Sequence, residues 1–115
     1  MDRKTKGKYG EDLAEKYLFD LGLEIVERNF RYKRSEIDLI CLHDNNLLIF
    51  VEVKFRKNAN FGEPESFVNK SQQQLIKKGA EAYIYGINWT KDIRFDIVTI
   101  NQESGEFQHL PDAFY

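Results

Sequence analysis

The chain has 115 residues, 42% of them hydrophobic, and a formal net charge of −2 at pH 7. This size and composition suit one ordinary domain over residues 1–115 with a single modest core. The small negative charge argues against a protein that binds nucleic acid through a uniformly basic surface. One cysteine, Cys41, excludes an internal disulfide and suits a small core residue, and only two histidines, His43 and His109, argue against structural zinc.

Basic residues are clustered in three runs, over 3–8, 28–34 and 54–57. Such runs are commonly solvated surface, and they also suit contacts with phosphate. No segment is apolar over the length of a membrane span, and the polar N-terminal residues lack the apolar region of a signal peptide. We therefore expect a cytoplasmic protein without a membrane partner.

The predicted elements begin with an amphipathic helix over 6–21, which Gly22 caps. A strand over 24–32 and a hairpin over 36–56 follow. An exposed loop over 57–67 is placed to touch a substrate, and a second helix runs over 69–85 and ends at Gly86. The remaining segments are a strand over 93–100, interrupted by Asp96, and an optional short last strand over 107–110.

This order, α-β-β-β-α-β with an optional last strand, predicts an α/β fold in which helices flank a mixed β-sheet. We expect a functional site at one edge or end of that sheet. We also expect Tyr9, Tyr17 and Tyr83 to lie in the core, and Asp96 to pair with an arginine or lysine across the sheet.

The two strands of the hairpin carry charges inside strongly apolar sequence, in Glu36-Ile37-Asp38 and Glu52-Val53-Lys54. An unpaired carboxylate in such surroundings costs several kcal/mol, roughly, unless it is neutralised, paired or bound to a metal. Carboxylates that converge with one lysine indicate a cation site. An ordinary ion pair of Glu52 with Lys54 at a strand end explains the second motif equally well.

The loop of the hairpin decides between these interpretations. A three-residue loop of Asp44, Asn45 and Asn46, with Asn46 left-handed, pairs Asp38 with Glu52, so that period-two alternation adds Glu36 and Lys54 to the same face. A two-residue loop of Asn45 and Asn46 without a bulge puts Asp38 and Glu52 on opposite faces and breaks the site.

Taken together, these residues resemble the PD-(D/E)xK nuclease superfamily, in which an acid on a leading helix joins Asp and Glu-x-Lys on a central hairpin. A closer resemblance is to the YraN family, which is related to archaeal Holliday-junction resolvases. One departure is Ser35, where that family usually has glycine. The matching segments are Gly10-Glu11, Glu27-Arg28-Asn29, Glu36-Ile37-Asp38-Leu39-Ile40, Phe50-Val51-Glu52-Val53-Lys54-Phe55-Arg56, Lys70 and Arg94-Phe95-Asp96-Ile97-Val98.

The resemblance implies a restriction-endonuclease-like fold and assigns Mg²⁺ or Mn²⁺ to Asp38, Glu52 and the carbonyl of Val53, which are hard oxygen ligands. Glu11 would complete this shell directly or through water. Lys54 would orient the attacking water or steady the phosphate. The resemblance leaves supporting or phosphate-contacting roles for four further residues: Glu36, Arg56, Lys70 and Gln73.

The function implied is a metal-dependent nuclease, or a nuclease-like protein, that hydrolyses phosphodiester bonds of DNA, including branched or single-stranded forms. The relation to resolvases also makes a homodimer an expectation. Two alternatives stay open, a noncatalytic nucleic-acid-binding module and a metal-stabilised protein-interaction domain. For Glu11, Lys70 and Gln73, a plain place on a helix surface is the competing interpretation.

Overall fold

A computed structural model of the protein describes residues 3–56, 68–101 and 103–115, with side chains from Tyr9 onward. Its elements are α1 (Arg3–Asp20), β1 (Glu24–Tyr32), β2 (Ser35–His43), β3 (Leu47–Arg56), α2 (Lys70–Gly86), β4 (Asp92–Asn101) and β5 (Phe107–Phe114). The predicted fold, a mixed sheet flanked by helices, is confirmed. The loop expected over 57–67 lies outside the described residues.

The five described strands form one sheet in the order β1-β2-β3-β4-β5. β3 and β4 are parallel, and the other neighbouring strands are antiparallel. A parallel pair needs a long crossover, and α2 lies within it. β1 and β3 end, and β2 begins, at one end of the sheet, which we call the upper end.

Each face of the sheet has its own apolar core. On one face Ala14 and Leu18 of α1 pack against strand residues such as Leu39. On the other face Ile76 and Ala80 of α2 pack against the opposite side of the same strands. The central strands are therefore covered on both sides, which explains their long apolar runs.

Glycine ends α1 as the pattern predicts. Gly22 has a φ of +92°, and the Leu23 N–H donates to the Leu18 carbonyl at 3.1 Å, which closes the helix end. The prediction for Tyr9 is wrong, because its residue surface is 52% exposed. Gly10, the next residue along α1, is the one that lies against the sheet, beside Phe55 and Ile100.

Asn69 caps the start of α2. The Asn69 side chain accepts the Gln72 N–H at 2.9 Å, and the Gln72 side chain accepts the Asn69 N–H at 3.0 Å. The helix ends at Gly86, as predicted. The left-handed residue beyond this end is Asn88, with a φ of 56°, a conformation that asparagine tolerates.

The last strand, β5, is longer than the short strand expected over 107–110. It continues through Pro111 to Phe114. Proline is tolerated here because β5 is an edge strand, where one row of N–H groups has no strand partner. None of the described helices is long and apolar enough to cross a membrane.

Candidate functional site

A three-residue loop sets the pairing of β2 with β3. His43 pairs with Leu47, and the Asn46 N–H donates to the His43 carbonyl at 3.1 Å. This is the longer of the two predicted loops. The left-handed residues are Asp44 and Asn45, with φ values of 51° and 60°, so the expected left-handed Asn46 is wrong. Both residue types reach this conformation at low cost, which made the choice among three consecutive candidates open.

The register of the hairpin brings Asp38 beside Glu52. Described pairing ends at Leu39 and Val51, and one further step along the same register sets Asp38 opposite Glu52. Here the Val53 N–H donates to Asp38 Oδ2 at 2.7 Å, and the Asp38 N–H donates to Glu52 Oε1 at 3.4 Å. Each carboxylate therefore accepts a backbone N–H of the opposite strand, which fixes both head groups at one place.

Side-chain alternation along β2 breaks at Asp38. Ile37 and Ile40 both belong to the α2-side core, whereas Leu39 belongs to the α1-side core. In a regular strand Ile37 and Leu39 would share a face. The predicted common face of Glu36 and Asp38 rests on a regular alternation that β2 does not have.

Burial dominates the electrostatics of Asp38. It raises the pKa of this carboxyl to about 6, and the Val53 N–H and the Lys54 ammonium offset part of the rise. The carboxylates of Glu11 and Glu36 raise the pKa further. The charges of both motifs and of the leading helix therefore meet within electrostatic range of one carboxyl group.

Glu52 is buried more deeply, with 8% of its residue surface exposed. Burial raises the pKa of its carboxyl well above the ordinary value, and Asp38 raises it further, whereas Lys54 lowers it. Buried Glu52 and half-buried Asp38 beside one ammonium leave an excess of negative charge. Such a pair favours the binding of a proton or of another cation.

Lys54 and Glu36 lie beside this pair without being buried in it. Lys54 is half-buried and follows Glu52 by two positions on β3. Glu36 is exposed and pairs with Arg31, whose Nη2 lies 3.3 Å from Glu36 Oε2. Glu36 therefore has a cation of its own while its charge still acts on both Asp38 and Glu52.

α1 brings Glu11 towards the hairpin because Gly10 lets the helix lie against Phe55. A Cβ atom added to Gly10 would lie 2.4 Å from the Phe55 ring. This is the close approach that the small residue predicts. The Glu11 carboxylate contacts Arg28, with 3.5 Å between Oε1 and Nη2.

Arg28 was not among the predicted site residues. Its guanidinium lies between β1 and α1 and also contacts Asp12 Oδ1 at 2.6 Å and Glu15 Oε2 at 2.9 Å. The spacing of Glu11 and Glu15, one helical turn apart, was a usable signal. It becomes informative only once α1 is known to pack beside β1.

The donor atoms fit a hard divalent cation in part. Carboxylate oxygens are the ligands that Mg²⁺ prefers, and Asp38 and Glu52 present them side by side in a buried place. In the described part of the chain, no three or more Asp, Glu, His or Cys side chains are grouped to hold a metal. The structure thus brings two of the three expected carboxylate ligands together and holds the third carboxylate, Glu11, on Arg28.

The remaining predicted site residues have other surroundings. Arg56 is buried at the upper end of β3. Gln73 donates to the Val68 carbonyl at 3.0 Å and so supports the turn that begins α2. Lys70 is exposed at the first residue of that helix. The contacts described for Gln73 are structural and do not reach the carboxylate pair.

Asp96 is fully buried and has structural partners. Arg94 binds its two oxygens at 2.8 Å each, His109 Nε2 lies 2.8 Å from Oδ2, and the Asp112 N–H donates to Oδ1 at 3.0 Å. Burial would raise the pKa of Asp96, but these hydrogen bonds outweigh burial and lower it. Pairing with an arginine is confirmed, although Arg94 lies on the same strand and not across the sheet.

Cys41 lies in the α1-side core, as expected of a small core residue. Burial raises the pKa of its thiol to about 12, and the charges of Asp96 and Glu15 contribute to the rise. A thiol in this state is almost entirely protonated at neutral pH and takes no part in chemistry.

The geometry defines an α/β protein with a carboxylate pair, half-buried Asp38 and buried Glu52, and a neighbouring ammonium near the upper end of its sheet. The chain belongs to the family described as "Uncharacterised protein family UPF0102", whose model matches residues 10–100.

Curated relatives of similar length share this family description. The chain is 46% identical over 103 residues to a UPF0102 protein of Cytophaga hutchinsonii, with 90% of each chain covered. It is 42% identical over 120 residues to one of Natranaerobius thermophilus, covering 99% of this chain and 100% of the relative. It is also 41% identical over 115 residues to one of Thermodesulfovibrio yellowstonii, with both chains fully covered.

Proposed function

We propose that the protein is a nuclease that uses Mg²⁺ or Mn²⁺ to hydrolyse phosphodiester bonds of DNA. The observation that carries this proposal is the pair of half-buried Asp38 and buried Glu52 beside Lys54. Protein interiors rarely contain two adjacent carboxyl groups with raised pKa values, since each such group costs stability unless a cation compensates for it. The resemblance to PD-(D/E)xK nucleases supplies the reaction.

Asp38 and Glu52 are the residues that would hold the cation, together with the backbone carbonyl of Val53. A bound divalent cation would neutralise charge on the scissile phosphate and make water a better nucleophile. The backbone N–H groups that bind one oxygen of each acid hold the head groups in place. Little reorganisation is then needed when the cation binds.

Lys54 holds a positive charge beside the pair and would steady the phosphate as water attacks phosphorus and the leaving oxygen departs. A localised ammonium suits this role better than a planar guanidinium. Glu11 would contact the cation through water, or its charge would act on the cation from its position against Arg28. Glu36, at the solvent side, would support a second cation or the charge balance of the site.

The mixed sheet with both motifs on a central hairpin supports a restriction-endonuclease-like fold. We further propose that the protein works in the cytoplasm and that two copies associate to cut paired strands, as the relation to resolvases implies.

The test is cleavage of labelled linear, single-stranded and four-way-junction DNA by the wild-type chain during titration with Mg²⁺ or Mn²⁺. Asp38→Asn and Glu52→Gln should lower the rate by more than about 100-fold, the upper range for residues that act only through a metal ligand. Asp44→Asn is the matched control, because Asp44 lies exposed in the loop of the same hairpin, and it should cut like wild type.

A wild-type chain that neither binds the cations nor cuts any of these substrates would contradict the proposal. Equal cutting by Asp38→Asn and wild type would contradict the assigned site. Thermal unfolding of each variant checks that it is folded at the temperature of the cleavage assay.

The second candidate function is a noncatalytic nucleic-acid-binding module. It is favoured by one observation, namely that Glu11 is held on Arg28 while the described side chains form no group of three metal-ligating residues. Its signature would be salt-sensitive binding of DNA that survives Asp38→Asn without any cleavage.

A further inference from the structure

The turn between β1 and β2 carries three cations and an aromatic ring on four consecutive residues. Arg31, Tyr32, Lys33 and Arg34 are all exposed, and we call these four residues the basic hairpin. The residue surface of Tyr32 is 40% exposed, and the Lys33 ammonium lies 5.3 Å from the centroid of the Tyr32 ring. Lys33 has a φ of 55°, so it sits at the tip of the turn.

Strand direction places the basic hairpin near the carboxylate pair. β1 ends at Tyr32 and β2 begins at Ser35, at the upper end of the sheet. From there β2 reaches Glu36, which pairs with Arg31, and then Asp38. The hairpin therefore lies a few residues along one strand from the proposed catalytic acids, roughly 10 Å at the rise of a β-strand.

The chemistry of the basic hairpin suits an unpaired nucleotide strand better than a duplex. An exposed aromatic ring offers a stacking surface, and bases can use it only when they are unstacked from their neighbours. The flanking cations suit the phosphates on both sides of such a base. A burial explanation for Tyr32 does not apply, since its ring stands outside both apolar cores.

We propose that the basic hairpin binds a single-stranded polynucleotide, with a base stacked on Tyr32 and phosphates on Lys33 and Arg34. This inference rests on the proposed function in that it names the substrate form of the same site. The hairpin holds the strand so that the next phosphates pass over Asp38 and Glu52. Arg31 keeps its pair with Glu36 and lowers the repulsion between that carboxylate and the phosphates.

The experiment measures binding of fluorescein-labelled oligothymidine, about twelve nucleotides long, to the full chain in EDTA, where metal-dependent cleavage is prevented. Tyr32→Leu should weaken binding by at least about fivefold, whereas Tyr32→Phe should stay within about twofold of wild type, because it keeps the ring. Lys33→Glu with Arg34→Glu should weaken binding by more than about tenfold and make its salt dependence shallower.

The matched control is Lys78→Glu with Lys91→Glu, which changes the net charge equally. Both lysines are exposed, and Lys91 lies 5.8 Å from the Trp89 ring centroid at the opposite end of the sheet. This pair of changes should leave binding within about twofold of wild type. A duplex of matched sequence should bind without any effect of Tyr32→Leu.

Three results would overturn the inference. The first is that Tyr32→Leu binds the oligonucleotide like wild type, and the second is that the Lys78→Glu, Lys91→Glu control weakens binding as strongly as Lys33→Glu with Arg34→Glu. The third is that binding of the duplex depends on Tyr32 as much as binding of the single strand does. Oligouridine assayed in parallel shows whether the basic hairpin prefers DNA or RNA. Tyr32-dependent binding of either oligonucleotide supports the inference. Tyr32-dependent binding without cleavage in Mg²⁺ or Mn²⁺ supports the inference and contradicts the nuclease. Cleavage that depends on Asp38 and is unaffected by Tyr32→Leu supports the nuclease and contradicts the inference.

Discussion

Asp38 keeps a carboxyl group where its charged form is unfavourable, and this has a direct effect on folding. Its pKa is about 6 in the folded chain, against an ordinary value of 3.8. Between these values the folded chain binds more protons than the unfolded chain, so stability falls as the pH rises through this window. Above pH 6 the folded chain carries the full cost of the charge.

Asp38→Asn removes this titration. In EDTA, the free energy of unfolding of the variant minus that of wild type should be about 1–3 kcal/mol larger at pH 7 than at pH 4. Urea unfolding at both pH values measures the difference in free energy of unfolding. Asp44→Asn provides the comparison, because Asp44 is exposed, and it should show little change with pH. A constant difference between Asp38→Asn and wild type across the window would refute the raised pKa.

Ser35 and Gly79 are in tight contact between β2 and α2. A Cβ atom at Gly79 would lie 2.2 Å from Ser35 Oγ and 3.1 Å from Ser35 Cβ. Within the described residues the buried Ser35 hydroxyl has no hydrogen-bond partner. The serine therefore occupies space that the glycine of α2 leaves open, and it gains no hydrogen bond there.

Gly79→Ala should destabilise the chain by about 1–3 kcal/mol through overpacking. Ser35→Gly removes both clashing atoms, so the double variant should recover most of this loss beyond what Ser35→Gly costs alone. Thermal or urea unfolding of the four chains in the cycle gives the coupling energy. Additive effects would mean that the helix moves away from Ser35 instead of clashing with it.

At the scale of elements, Arg28 joins α1 to β1 by contacting three carboxylates of the helix. Arg28→Met keeps the aliphatic stem and removes the charge, so Glu11, Asp12 and Glu15 would repel one another without a counter-ion. We expect a loss of about 1–3 kcal/mol, in the range of hydrogen bonds to charged groups. Urea unfolding measures it.

Arg31→Met is the control for Arg28, because its pair with Glu36 is largely exposed and should contribute less than about 1 kcal/mol. Equal effects of the two changes would show that Arg28 does not hold α1. Circular dichroism of both variants reports whether the helix itself persists.

Asp96 joins β4 to β5, since Arg94 and His109 converge on it from the two strands. Asp96→Asn should cost about 3–5 kcal/mol at pH 7, because it removes the fully buried carboxylate that Arg94 and His109 bind and leaves them without a counter-charge. The pKa of Asp96 is lowered, so the stability it contributes is present above its ordinary value of 3.8 and is lost as the pH falls through its folded value.

The difference between wild type and Asp96→Asn should therefore shrink at pH 3, which unfolding curves at pH 7 and pH 3 can show. Asp92→Asn, at the exposed start of the same strand, should change stability by less than about 0.5 kcal/mol at either pH. A difference that persists undiminished at pH 3 would contradict the lowered pKa.

For the whole molecule, cation binding and folding are linked. A cation that binds only the folded chain adds about 2.7 kcal/mol at a concentration of one hundred times its Kd. Mg²⁺ or Mn²⁺ should therefore raise the melting temperature by several degrees at pH 7, and by much less at pH 5, where Asp38 is protonated. Asp38→Asn should abolish the shift and Asp44→Asn should keep it. An equal shift in both variants would place the cation elsewhere.

Much of this architecture follows from local sequence. Helix spacing, the cap at Gly22 and the apolar runs predict six of the described elements, because these signals act within a few residues of the chain. The three-residue loop was one of two hairpins that the sequence allowed, and only pairing in the sheet decides between them. The carboxylates of Asp38 and Glu52 inside apolar strands could also be recognised from the sequence, because that signal lies in the neighbouring residues.

Other features depend on contacts between distant segments. The clamp of Arg28 on α1 requires that helix and strand be neighbours, which no spacing reveals. The broken alternation at Asp38 becomes visible only when its neighbours are assigned to the two cores, and β5 continues beyond Pro111 because it is an edge strand. Tyr9 has the spacing of a core residue, yet it is 52% exposed, and the neighbouring Gly10 is the residue that contacts the sheet.

The buried thiol of Cys41 has a consequence for how the chain ages. Because it is the chain's one cysteine, and it is protonated and buried in the α1-side core, oxidants and electrophiles have no thiol to react with while the chain is folded. The thiol becomes reactive only when the central strands separate. Chemical damage at this position would therefore mark molecules that have already opened, and intact molecules would remain free of cysteine-linked aggregates.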